Sequence, residues 1–319
     1  MSIDIVLAWV DGSDEKWLAE KNQYSVNGGD AAVNRYRDWD LLRFWFRGVE
    51  KFMPWVDTIH FVTWGHTPSW LDLSNPKLHV VKHSDYIPSK HLPTFSSHTI
   101  ELNFHNIPGL SNNFIYFNDD MFVVNKMEST DFFRNDLPVD CPIEVPLRFH
   151  KGGIDHIIAN DVMVINDHFN KRDVVKKNLD KWLCLKNIYM LPVESFSSFD
   201  NPHLPLAYNK TTLNAVWDAE PTLLDETCSH KFRTDADVNQ WLFRYWQFAT
   251  GNFEKGKPQG KFFSIGRDDS QIKEAIESKK YKMICLSDDN VNVDFEKEKE
   301  FLISEFSKIL PEKSTFEKD

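Results

Sequence analysis

The sequence predicts an α/β fold whose central sheet is mostly parallel and flanked by helices. Apolar runs of strand length alternate with stretches of helical periodicity, the pattern of strands joined by crossover helices. Acidic clusters (Asp11/Asp14, Asp119/Asp120 and Asp288/Asp289) directly follow three of those runs. The 319 residues are also 41% hydrophobic and include 25 Phe and 11 Trp, enough apolar material for a large core.

The first element, residues 3–10, is a buried-strand run closed by the turn formers Asp11-Gly12-Ser13-Asp14. A helical stretch with Trp17 and Leu18 follows, then a polar loop over 25–32 with Gly28-Gly29. From Asp38 to Phe52, Leu41, Leu42, Trp45, Phe46, Val49 and Phe52 recur at helical spacing. Residues 58–63, 78–81 and 113–117 read as further strands, the last running through Asn118-Asp119-Asp120 into a fifth, 121–124. Beyond the Gly152-Gly153 turn, helices are expected over 157–169, 172–185 and 235–248, the last capped near Thr234/Asp235. A last strand, 281–286, ends in Ser287-Asp288-Asp289-Asn290, and 295–310 is an amphipathic closing helix. No repeat or linker stands out, so one domain over 1–310 is expected, with 311–319 as a loose tail.

A charge of −11, from 37 Lys+Arg against 48 Asp+Glu, argues against gripping nucleic acid or an anionic membrane with the whole surface. No apolar run approaches the roughly 20 residues of a spanning helix, and Met1-Ser2-Ile3-Asp4 does not read as a signal peptide. Cys141, Cys184, Cys228 and Cys285 are scattered without a CxxC pair, as expected of reduced core cysteines. The expectation is a soluble cytoplasmic protein, with peripheral attachment to the inner face of the cell membrane compatible with it.

Acidic pairs at the carboxyl ends of strands suit a divalent cation. Ligands of open α/β sheets bind there, and Mg²⁺ takes one or two carboxylates plus substrate phosphates. Asp120, Asp288 and Asp289 are therefore the candidate ligands for Mg²⁺ or Mn²⁺. Turn formation is the competing reading of each pair, least satisfying for Asp119-Asp120 between two apolar stretches. Arg43, Arg47 and Arg233 could pair with phosphate oxygens. His203, between Pro202 and Pro205, suits a general base. His91, His98 and His105 recur every seven residues, but Pro93 breaks the register a metal stripe would need. No G-x-S-x-G, P-loop or G-x-G-x-x-G motif occurs.

Four regions resemble the Stealth family of bacterial capsular and exopolysaccharide sugar-phosphate transferases, related to the eukaryotic lysosomal-enzyme N-acetylglucosamine-1-phosphotransferase. The first is Asp4-Ile5-Val6-Leu7-Ala8-Trp9-Val10-Asp11-Gly12-Ser13-Asp14. The second, spanning 35–124, contains Arg35-Tyr36-Arg37-Asp38, Val62-Thr63-Trp64-Gly65, Leu92-Pro93-Thr94-Phe95-Ser96-Ser97, Ile100-Glu101 and Phe117-Asn118-Asp119-Asp120. The third runs over 203–248 with Phe232-Arg233-Thr234-Asp235-Ala236-Asp237, and the fourth over 283–290 with Cys285-Leu286-Ser287-Asp288-Asp289-Asn290. Trp39 and Leu41 depart from the family, standing where many members carry Asn and Glu.

The resemblance implies a GT-A/Rossmann-like fold with helical insertions. It also implies transfer of a hexose-1-phosphate from a UDP-sugar to a hydroxyl of an oligosaccharide or polysaccharide acceptor, lipid-linked acceptors included. A phosphodiester forms and UMP leaves. Asp11, Gly12, Asp14, Arg43, Asn118 and Asp119 would then bind the donor, and Asp120, Arg233 and either His203 or Glu101 would carry the chemistry. The competing functions are a metal-dependent GT-A glycosyltransferase releasing UDP and a carbohydrate-binding module built on the aromatics.

Overall fold

The computed structural model describes residues 2–25, 38–150, 153–290 and 293–318. Its eleven strands are β1 (Ile3–Ala8), β2 (Ile59–Thr63), β3 (Leu78–Lys82), β4 (Asn113–Asn118), β5 (Met121–Val123), β6 (Phe133–Arg134), β7 (Leu137–Asp140), β8 (Leu206–Asn209), β9 (Glu254–Lys255), β10 (Gly260–Ser264) and β11 (Met283–Ser287). The main sheet has the order β3-β2-β1-β4-β8, parallel except for β8 at the edge. A second sheet, β10-β11-β5, pairs β10 and β11 in parallel and β5 against them; β6-β7-β9 form a small third one.

Alternation along β1 divides the core. Ile3, Ile5 and Leu7 join one apolar cluster with the helix Leu42–Phe52 and the closing helix Phe295–Ile309. Val6 joins the other, with the helices Asp155–His168 and Trp241–Thr250. Each face of the sheet is thus covered, which explains why its strands are apolar on both faces for most of their length. Gly48 lies in the middle of the first of those helices because a Cβ there would stand 2.7 Å from the Val123 carbonyl oxygen of β5.

This topology gathers the acidic turns. β1 and β4 lie side by side with Ala8 opposite Asn118, so their carboxyl ends finish together. The chain leaves β4 through Asp119-Asp120 and enters β5, which belongs to the second sheet beside β11. The Leu286 N–H donates to the Asp120 carbonyl at 2.9 Å, drawing the end of β11 onto that turn.

Three expectations need correction. Of the expected loose tail 311–319, the described residues 311–318 are packed: Phe316 is buried, Glu317 bridges to Leu71, and Arg47 donates to both Glu317 carboxylate oxygens at 2.7 and 2.8 Å. The helix expected from Asp235 begins at Trp241, because Asp237 is engaged by the loop before it. The stretch 172–185 is broken into the helices Lys171–Lys177 and Leu179–Trp182, and a 3₁₀ segment Leu185–Met190 follows. The Gly28-Gly29 loop and Arg35-Tyr36-Arg37 lie outside the described residues.

Candidate active site

The carboxyl ends of β1, β4 and β11 open into one cleft of about 650 Å³. Asp11, Gly12, Glu101, Asn118, Asp119, Asp120, His203, Arg233, Asp288 and Asp289 all line it. Ten site residues expected from four separate sequence regions therefore meet in one place.

The acidic side is formed by the two pairs. Asp120 Oδ2 accepts from the Cys285 thiol at 3.5 Å, while Oδ1, also buried, has no hydrogen-bond partner among the described residues. Enclosure in the cleft raises the Asp120 carboxyl to about 6, against the weaker help of Cys285. Asp119 is exposed at the rim, yet the atoms crowded around its carboxyl and the Asp120 charge beside it raise it to about 7. The Asp289 carboxylate accepts from the Ser264 hydroxyl. Arg267, which the sequence did not single out, stands 4.0 Å from Asp289 Oδ2.

A second ligand set shares Asp120. One donor atom each of Asp120, His203 and Cys285 lie within 4.8 Å of one another. A mixed oxygen, nitrogen and sulfur set suits zinc, whereas carboxylates alone suit Mg²⁺ or Mn²⁺. In this structure His203 Nδ1 and Cys285 Sγ are 3.2 Å apart and engage each other. Burial and the neighbouring Asp120 charge also hold the thiol proton on. The unsatisfied Asp120 oxygen and the carboxylates beside it fit a hard cation better.

The proton-transfer and cationic groups line the same cleft, His203 beside Asp120 itself. His203 adopts a left-handed φ of 48° in its Pro202–Pro205 loop. Burial lowers its pKa, keeping the ring neutral at neutral pH. Buried Glu101 accepts from the Tyr116 hydroxyl at 2.9 Å, and that hydroxyl also meets the Asn118 amide. Burial, together with Glu101, raises Tyr116 well above its ordinary value, so it remains a phenol and a donor.

Arg233 Nη2 donates to Ser97 Oγ at 2.6 Å, and among the described residues the guanidinium makes no ion pair. Its loop is fixed by buried Asp237, which takes His98, His230, the Thr234 N–H and the Thr234 hydroxyl. Burial opposes charge at Asp237, yet those donors hold its carboxyl below the usual range. His98 is thus spent on Asp237, while His91 meets Asp225, so the spaced histidines serve separate local contacts.

Two expected donor-binding residues lie elsewhere. Asp14 is the N-cap of the helix Glu15–Tyr24, accepting from the Lys16 and Trp17 N–H groups, and it does not line the cleft. Arg43 borders an adjoining hollow of about 210 Å³ that shares Trp9, Asp11, Asp38 and Leu42 with the cleft. There it lies over the Trp70 ring and 3.6 Å from Glu317. Arg47 is consumed by Glu317. Cys285 and Tyr116 are the site residues that the sequence reading missed, since each lies inside an apolar strand and reads as core.

The pattern "Stealth protein CR1, conserved region 1" matches residues 1–29, and "Stealth protein CR2, conserved region 2" matches 35–139. Similar proteins of known naming extend over nearly the whole chain. A capsular polysaccharide phosphotransferase WcwK of Streptococcus pneumoniae is 38% identical over 328 residues, covering 99% of this chain and 98% of that one. The receptor polysaccharide phosphotransferase WefC of Streptococcus gordonii is 37% identical over 99% of this chain and 98% of its own. The exopolysaccharide phosphotransferase cps2G of Lactiplantibacillus plantarum is 39% identical over 99% and 96%. Among solved structures, that of the galactosyltransferase LgtC, in complex with donor and acceptor sugar analogues, covers 94% of this chain and 95% of its own. The match has 11% identity and a TM-score of 0.41.

Proposed function

The chain belongs to the Stealth family and is a phosphotransferase, and on that premise we propose that it moves a hexose-1-phosphate from a UDP-sugar to a glycan hydroxyl in capsular or exopolysaccharide synthesis. One observation carries the reading. Two carboxylate pairs, an unsatisfied buried Asp120 oxygen, an exposed guanidinium and two candidate bases meet in one cleft large enough for a nucleotide-sugar.

The acceptor hydroxyl attacks the phosphorus that bears the sugar. Its oxygen–phosphorus bond forms as the bridging oxygen–phosphorus bond breaks, and UMP leaves with that electron pair. The sugar's anomeric carbon–oxygen bond is untouched. Asp120, Asp288 and Asp289 would hold a Mg²⁺ or Mn²⁺ ion, which when bound would neutralise charge on the donor diphosphate. Arg233, planar and anchored to Ser97, binds the donor's phosphate oxygens. Asp11, Gly12, Asn118 and Asp119 bound the donor end of the cleft.

His203 takes the acceptor's proton. With the Cys285 S–H directed at Asp120, Sγ accepts from His203 Nδ1–H, which leaves the lone pair on Nε2. Glu101 is the other base compatible with this reading, oriented by Tyr116. The acceptor is an oligosaccharide or polysaccharide, with lipid-linked forms within the proposal. Incubation with UDP-sugars, Mg²⁺ and short glycans, followed by chromatography of the nucleotides, tests it. UMP supports phosphotransfer, and UDP supports the competing GT-A glycosyltransferase.

A further inference from the structure

Residues 176–193 form a lobe whose apolar side chains point away from the protein. Trp182, Asn187 and Met190 face inward. Leu179, Leu183, Ile188 and Tyr189 are each more than half exposed, and Leu185 is 86% exposed. This is not looseness. Trp182 packs on Phe196 and Phe199 at 5.4 and 5.9 Å between ring centroids. The Asn187 side chain takes the Pro142 and Trp182 carbonyls and the Glu144 N–H. Lys181 donates to the Gly251 and Phe253 carbonyls. The lobe is thus held in the rotation that exposes its leucines.

Its charge runs against that of the chain. Residues 176–193 carry Lys176, Lys177, Lys181 and Lys186 against the single acid Asp180, in a protein of net charge −11. Exposed leucines and a tyrosine with lysines around them are the composition of surfaces that lie in a membrane interface. A second copy of the chain is a poor occupant, because like charges would meet across the interface and interface cores are depleted of lysine. A side chain as exposed as Leu185 suits insertion into soft lipid better than a preformed pocket.

We propose that residues 176–193 dock the protein on the surface of an anionic lipid bilayer. Exposed Lys176, Lys177 and Lys186 meet headgroup phosphates while the leucines enter the acyl boundary. Phe199, packed beneath the lobe, lies four residues before His203, so one segment joins the docking face to the cleft. The surface uses no residue of the reaction and would hold for any chemistry in that cleft.

Sedimentation of the full chain with lipid vesicles tests this. Binding is expected with phosphatidylcholine mixed with phosphatidylglycerol, weakly or not at all with phosphatidylcholine alone, and release by high salt. Leu185→Asp/Ile188→Asp should lower partitioning by about tenfold or more, with an unchanged circular dichroism spectrum and unchanged turnover of soluble acceptors. Lys176→Glu/Lys177→Glu/Lys186→Glu should lose anionic-vesicle binding without touching an apolar group. The proposal is overturned if the wild type ignores anionic vesicles, or if both variants bind as it does. It is equally overturned if the wild type is a dimer in solution that the Leu185→Asp/Ile188→Asp variant splits.

Discussion

His203 Nδ1 lies 3.2 Å from Cys285 Sγ, and the same sulfur lies 3.5 Å from Asp120 Oδ2. A thiol therefore stands between the candidate base and the candidate metal carboxylate. Burial and the Asp120 charge keep that thiol protonated, so it orients both neighbours without ionising.

Cys285→Ala should free the imidazole to turn. We expect kcat to fall by up to about 10²-fold with KM nearly constant, the cost of a misplaced group. Cys285→Ser, which keeps a donor and an acceptor, should restore much of the rate. Equal losses in both variants would show that the contact does not position the base.

The acid pair predicts a coupling of cation binding to pH. Asp119 at about 7 and Asp120 at about 6 both lie above the ordinary 3.8. The folded protein thus binds more protons than the unfolded chain between about pH 4 and 7, so their contribution to stability falls as pH rises through that window. Mg²⁺ or Mn²⁺ should therefore raise the thermal midpoint more at pH 8 than at pH 5. Asp120→Asn should abolish turnover and this metal response while leaving the metal-free protein at least as stable. A metal-induced shift of wild-type size in that variant would exclude Asp120 as a ligand.

His203→Ala and Glu101→Gln compared across pH will identify the base, whose loss typically costs about 10²–10⁴ in rate. Because burial lowers the His203 pKa, the acidic limb of kcat should fall below the ordinary histidine value of 6.5. That limb should disappear in His203→Ala. If it persists there unchanged, His203 only positions the acceptor.

Arg233→Lys retains the charge but loses the planar fork anchored on Ser97. We expect a loss of about 10²-fold in kcat/KM, and a smaller loss for Ser97→Ala. Near-normal activity of the lysine variant would show that the guanidinium does not clamp the donor.

The carboxyl-terminal clasp makes a prediction for stability. Burial alone would raise the Glu317 carboxyl, but Arg47 and the Ser314 N–H hold it below its usual value, so its contribution is lost as pH falls. Arg47→Ala removes the bidentate donor and leaves that buried carboxylate only the Ser314 groups and Arg43 at 3.6 Å, and it should cost about 3 kcal/mol, measured by urea unfolding at neutral pH. A change under about 0.5 kcal/mol, as for an ordinary surface substitution, would contradict the clasp.

What the sequence made legible follows from local chemistry. β1, β4 and β11 are mostly apolar runs, interrupted in β1 by Asp4, and each is followed by aspartates, so both the parallel sheet and its acidic rim can be read residue by residue. Asp14 misleads because the same carboxylate that suits a ligand also caps a helix. Thr234/Asp235 read as a helix start, yet the Asp237 carboxylate two residues on is taken by His98 from elsewhere in the fold and by His230 from its own loop, and the helix begins at Trp241. Glu317 lies in a charged end with no periodicity, and its partner Arg47 is 270 residues away. Cys285 carries no signal beyond that of a core residue until β11 is set beside Asp120.

The most direct test follows the anomeric oxygen. A UDP-hexose carrying ¹⁸O between the sugar's anomeric carbon and its phosphorus should be turned over with a glycan acceptor, and the products read by ³¹P NMR. Phosphotransfer predicts that the label stays in the new phosphodiester and that UMP is unlabelled. Recovery of the label in UDP would mean that the anomeric bond had been cut, and would contradict the account.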